Sequence, residues 1–139
     1  MEAIYTAVAT ASGDGRNGHT ASEDGFLDVD VRIPKEMGGP GGATNPEQLF
    51  AAGYAACFHS ALKLVGSTEN ADLTDTEVSA SVSLGTLANG AFGLAVELDV
   101  FAPHLDHDLA LALVEKAHDV CPYSNATRGN VEVALTVVR

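Results

Sequence analysis

Two thiols, Cys57 and Cys121, are the only cysteines in the 139-residue chain, and a pair of thiols can run a defined redox cycle. A thiolate attacks an oxidant and becomes a sulfenic acid, and a second thiol condenses with that acid to give a disulfide. The wide spacing is unlike a local C-x-x-C motif, so sequence leaves open whether the two thiols meet or are unrelated. Cys57 falls in the apolar stretch "EQLFAAGYAACFHSALKLV", Glu47 to Val65, where a free cysteine often serves as a small packing residue. It lies about three turns into the helix this stretch forms, beyond the reach of the N-terminal dipole. A reactive thiolate there needs a nearby cation. Arg16, in the glycine-rich "GDGRNGH", is the candidate; Arg128 and Arg139 are rivals with weaker context, and a solvated loop arginine is the plain alternative. Glu47 belongs to the first helical turn, where dipole and capping already account for a carboxylate. It would serve equally to fix a guanidinium plane in a bidentate pair.

Other constellations carry less. His104 and His107, with Asp106 and Asp108, have metal-ligand types, but a turn leading into an acidic helix start explains the same residues. There is no G-x-G-x-x-G, no Walker loop and no G-x-S-x-G elbow, and "GGPGGATNP" lacks the lysine of a phosphate cradle. No bound cofactor is expected. Phe50, Tyr54 and Phe58 lie near Cys57 on the helix and read as core, part of which would line an apolar pocket.

The elements that position these residues follow from periodicity. Residues 3 to 11 and 19 to 23 read as strands around the "GDGRNGH" loop, and "LDVDVRI", Leu27 to Ile33, alternates apolar and polar. Together they predict an N-terminal antiparallel sheet. Asn45, Pro46 and Gln48 supply a cap, a first-turn proline and a capping-box partner for a first helix ending near Gly66. "EVSASVSL" and "FGLAVELDV" alternate with period two and join through Asn89-Gly90, a strong hairpin signal. "DHDLALALVEKAHDV" is acidic at its front and basic near its end, as a helix dipole favours, and Pro122 stops it with Cys121 at the exit. "VEVALTVV" closes the chain as a strand. The class is α+β, with antiparallel sheets packed around a long, central, buried helix and a second helix.

Length and the absence of repeats, low-complexity tracts or long linkers predict one domain over 1–139. With 19 acidic against 7 basic residues, the net charge of -12 repels nucleic acid and anionic lipid. The start "MEAIYTAVATAS" has neither a positive n-region nor a long apolar h-region, so no secretory signal is expected and the cytoplasm is the expected compartment. The least polar run, Leu49 to Phe58, is far short of the ~20 residues of a membrane span, and no span is expected. Two cysteines in a reducing compartment point to catalytic or redox use rather than a permanent bridge.

The segments "GRNGH", "GGPGGATNPEQLFAAGYAACF" and "CPYSNATRGN" resemble, in order and over the whole chain, those of the organic hydroperoxide resistance proteins, the Ohr branch of the Ohr/OsmC family. The resemblance implies the OsmC/Ohr-like fold as an intertwined homodimer with sites at the subunit interface. It also implies a thiol peroxidase that reduces alkyl and fatty-acid hydroperoxides to alcohols. Cys57 in "AACF" matches the peroxidatic cysteine, Cys121 in "CPYSNAT" the resolving one, Arg16 the activating arginine and Glu47 in "NPEQ" its carboxylate partner. The implied reductant is a dihydrolipoyl group, free as dihydrolipoamide or carried on a lipoylated protein. Glu47 and Cys57 are ten positions apart on one helix, about 15 Å along its axis, so one carboxylate does not touch that thiolate directly. Either an arginine bridges part of that distance or the carboxylate comes from the partner subunit, and a site drawing residues from both chains of the dimer is the expectation. Three alternatives remain at this point: an OsmC-like peroxidase of broader specificity, a redox-sensing or apolar-ligand-binding module whose thiols are oxidised only occasionally, and a structural stress protein with an inert Cys57.

Overall fold

Turn chemistry and alternation build the N-terminal sheet. The computed structural model describes all residues, Met1–Arg139, and in it β1 (Ala9–Ser12), β2 (His19–Ser22) and β3 (Asp28–Asp30) pair antiparallel in the order β1-β2-β3. β1 starts at Ala9 rather than near residue 3. Its partner β2 ends at Ser22, opposite Ala9, and beyond that residue the chain turns at Gly25, so residues 3 to 8 have no strand edge to pair with apart from one bond from the Glu23 N–H to the Val8 carbonyl. β3 is likewise shorter than its alternation suggests. Val31 leaves the sheet to bridge Thr44 in parallel.

The contacts gather into two compact units, Met1–Leu49 and Phe50–Arg139. The first holds this sheet. At its end Asn45 caps α1 (Pro46–Thr68), its side-chain oxygen accepting from the Gln48 N–H at 2.9 Å. Gln48 departs from a full capping box, because its Oε1 accepts from the Thr44 hydroxyl instead.

The second unit holds a sheet of β4 (Glu77–Thr86), β5 (Phe92–Phe101) and β6 (Glu132–Val138), with β5 central. β4 and β5 form the expected hairpin, turning through Asn89 and Gly90, the latter at φ 85°. β6 pairs with β5 in parallel, so this sheet is mixed rather than antiparallel. The reason is the crossover: α2 (His107–Val120) and a short α3 (Pro122–Thr127) carry the chain back between the two strands, the kind of connection a parallel pair requires. Pro122 ends α2 as expected and also opens α3 at its first position, which favours its fixed φ.

The core of this unit joins Tyr54, Phe58 and Leu62 of α1 to Val96, Leu98 and Val100 of β5 and to Leu113, Val114 and Ala117 of α2. Burying each of the larger side chains contributes roughly 1.5–3 kcal/mol. α1 buries one stripe in this core: Tyr54, Phe58, Ala61, Leu62 and Gly66. Ala52, Ala56, Ser60, Lys63 and Leu64 on its other face are exposed. At 23 residues it matches a membrane span by length and composition, but the stripe facing the sheet is committed to this protein's own core.

Candidate active site

In the first unit, Arg16 sits in a single 3-10 turn, Gly15–Asn17, between β1 and β2. The turn is pinned from outside. The Asn17 side-chain oxygen accepts from the Ile33 N–H at 3.0 Å, and the Gly18 carbonyl accepts from the Val31 N–H and from Arg32 Nη1. A Cβ on Gly18 would lie 2.2 Å from the Ser12 carbonyl oxygen, so only glycine lets the loop close here. Arg16 donates from Nη1 and Nη2 to the two oxygens of Glu47 at 2.8 and 2.7 Å. This is a bidentate, charge-assisted pair. Its hydrogen bonds raise Arg16 above its ordinary value and hold the Glu47 carboxyl below the usual range. Glu47 is therefore an ion fixed at the start of α1, and the guanidinium plane is fixed with it.

In the second unit, the face of α1 carrying Phe50, Gly53, Tyr54 and Cys57 meets the α2–α3 junction. Cys121 is both the last cap of α2 and the first of α3, and its Sγ lies 3.6 Å from Cys57 Sγ. Both thiols are free, Cys121 fully buried and Cys57 half-buried. The sulfurs are in contact and need to close to about 2.05 Å to bond. The rings of Phe50, Tyr54 and Tyr123 cluster beside them, Tyr54 and Tyr123 with centroids 5.6 Å apart. Gly53 makes room for this, since a Cβ there would meet the Tyr123 hydroxyl at 2.9 Å. Tyr54 and Phe58 are wholly core.

Burial is the largest influence on Cys57 and pushes its thiol up; the backbone N–H of Tyr123 acts against that, and neighbouring Cys121 adds to the rise. The Tyr123 N–H is a contributor that sequence reading passed over. "Cys-Pro" is a signal for it, because a proline at a helix start announces first-turn N–H groups with no partner inside the helix. His118, Ser124 and Thr127, which surround the same junction with hydrogen bonds, were also passed over. The rival cation Arg128 binds the His118 carbonyl and Asn125. Asp106 caps α2 by accepting from the Leu109 N–H, and His104 pairs with Asp75. A cleft of about 490 Å³ lined by Phe101, Pro103, Leu105, His107, Val137 and Arg139 lies where the sheet meets the start of α2, and no thiol lines it.

The family model described as OsmC-like protein matches residues 39–136. An organic hydroperoxide resistance protein of Xanthomonas axonopodis pv. citri is 51% identical over 136 residues, covering 96% of this chain and 94% of that protein. Among solved structures, an organic hydroperoxide resistance protein from Elizabethkingia anophelis superposes with a TM-score of 0.94 at 53% identity, covering 100% of this chain and 99% of that one. The protein of that description from Legionella pneumophila also superposes at 0.94, with 51% identity over 99% and 100% of the two chains.

Proposed function

The chain belongs to the OsmC-like family, in the branch of the organic hydroperoxide resistance proteins, and from that premise we propose that it is a cysteine-based peroxidase of organic hydroperoxides. The observation that carries the mechanism is the 3.6 Å contact between Cys57 and Cys121 sulfurs. The Cys57 thiolate attacks the terminal oxygen of the hydroperoxide; an S–O bond forms as the O–O bond breaks, and the alkoxide leaves and takes up a proton as the alcohol. Cys121 then attacks the sulfenic sulfur, an S–S bond forms and water leaves. An external dithiol of the dihydrolipoyl type opens that disulfide by exchange and is itself oxidised to a cyclic disulfide.

In this reading Arg16, oriented by Glu47, supplies the positive charge that Cys57 lacks within its own unit, and each site draws on both chains of a cytoplasmic homodimer. The exposed small-residue stripe Ala52, Ala56, Ser60 with Leu64 supports the dimer, since small side chains let a partner helix approach. The family match at 39–136 runs from one unit into the other, which supports one functional domain. The test is steady-state consumption of tert-butyl or fatty-acid hydroperoxide with dihydrolipoamide, beside hydrogen peroxide. The expected outcome is that organic peroxides turn over, that Cys57→Ser is dead, and that Cys121→Ser consumes peroxide once and stops. No turnover by the native chain would return Cys57 to a packing or sensing role.

A further inference from the structure

Behind the thiol pair lies a line of buried hydroxyls that the peroxidase chemistry does not use. Thr127 Oγ1 lies 3.1 Å from the Ser124 carbonyl, Tyr54 Oη 3.1 Å from Thr127 Oγ1 and 2.9 Å from Ser124 Oγ, and Ser124 Oγ 2.8 Å from His118 Nδ1. Tyr54, Ser124 and Thr127 are buried, and none of their oxygens lacks a partner. Each hydroxyl has one proton to give, which fixes the direction of every bond. A carbonyl only accepts, so Thr127 donates to Ser124 O. Thr127 has no second proton, so Tyr54 donates to Thr127. Tyr54 is then spent, so Ser124 donates to Tyr54, and Ser124 in turn accepts from His118. Reversing any link leaves one of the four contacts unmade. His118 therefore carries a proton on Nδ1, whether or not Nε2 is also protonated.

This line joins three helices at one point. Tyr54 lies on α1 one turn before Cys57, His118 on the last turn of α2, and Ser124 and Thr127 on α3, directly after Cys121. We propose that Ser124, held by the Nδ1–H of His118 and by Tyr54, is a positioning residue that keeps Cys121 Sγ against Cys57 Sγ. The role in turnover rests on the peroxidase reading, whereas the geometry is testable without a peroxide.

The experiment uses the full reduced chain and follows Cys57–Cys121 disulfide formation by rapid alkylation and mass measurement. Two oxidants run in parallel: diamide, whose azo group takes the two thiol hydrogens to become a hydrazine, and an organic hydroperoxide. Asparagine places an amide N–H where Nδ1–H stands, and glutamine places one near Nε2, so the pair His118→Asn and His118→Gln reads the tautomer. Ser124→Ala and His118→Gln should slow disulfide formation about tenfold with diamide, while His118→Asn stays within about threefold, because small misplacements of reacting atoms cost rate steeply. Nitrogen chemical shifts of His118 should report Nδ1–H. Urea unfolding of each variant separates lost stability from lost positioning, and the His118 pair remains informative if Ser124→Ala folds poorly. Equal rates for the asparagine and glutamine variants, or an Nε2–H neutral imidazole, overturn the proposal. A native chain that closes its disulfide with diamide but not with hydroperoxide overturns the peroxidase reading alone.

Discussion

At the scale of single residues, the Arg16–Glu47 pair and the Cys57 thiol pull in different directions. Burial holds Cys57 towards its neutral form, and Arg16 is held charged by Glu47. Replacing Glu47 by Gln keeps the shape but removes one charge, so it frees the guanidinium plane without emptying the site. Peroxide turnover of Glu47→Gln should fall at least about tenfold, the size of effect expected when a charge-assisted bidentate clamp is lost. Steady-state assay at saturating dithiol checks this, and native turnover would remove Glu47 from the site. The stability effect has a defined pH window. A carboxyl lowered on folding contributes stability that is complete above its unfolded pKa, about 4.3, and is lost as pH falls through the folded value. The Arg16 side chain is 38% exposed, so solvent screening limits the pair to about 1 kcal/mol or less. Urea unfolding should show Glu47→Gln weaker than the native chain at neutral pH and equal to it in acid below the folded value. An equal deficit at both would assign the effect to packing rather than charge.

At the scale of elements, the loop between β1 and β2 depends on two glycines for different reasons. Gly15 has φ 55° with open space where a Cβ would go, and Gly18 has an ordinary negative φ but a carbonyl oxygen in the way. Gly15→Ala should therefore cost about 1 kcal/mol of left-handed strain. Gly18→Ala should cost about 3 kcal/mol, at the upper end of ordinary substitutions, because Ser12 and the hairpin must move. Denaturant midpoints order the two, and the reverse order would refute the steric account. The sequence made the caps and hairpins visible: Asn45, Asp106 and Asn89-Gly90 act locally, and local chemistry is what a sequence displays. The direction of β6 was not visible, because alternation is the same for parallel and antiparallel pairing. α3 was missed because six residues, "PYSNAT", show no helical period. The meeting of Cys57 with Cys121, and of Arg16 with Glu47, depends on where separate elements end, which spacing does not encode. The hydroxyl line was missed for a related reason: Ser124 and Thr127 look like surface residues until the fold buries them, and His118 until it meets Ser124.

At the scale of the whole molecule, one chain leaves much apolar surface uncovered. Ile4 and Phe26 are almost wholly exposed, Phe92 and Leu64 largely so, and α1 shows its small-residue face to solvent. A monomer rarely keeps this much apolar side chain in water unless a partner covers it. A second copy placed on the α1 face would bury Ala56, which neighbours Cys57 in sequence, and this makes Ala56→Arg a decisive substitution. The native chain should sediment as a dimer. Ala56→Arg should weaken that dimer at least about a hundredfold, because an unpaired guanidinium would be buried at the contact. The same variant separates which chemistry belongs to one chain. Cys57 and Cys121 already touch within a single chain, so diamide should still close their disulfide in the monomer. If hydroperoxide turnover is lost there while the diamide reaction survives, each chain supplies its own thiol pair and the dimer supplies the activation. If the monomer turns over hydroperoxide at the native rate, Arg16 and Glu47 of one chain suffice for its own Cys57, and the shared site is wrong.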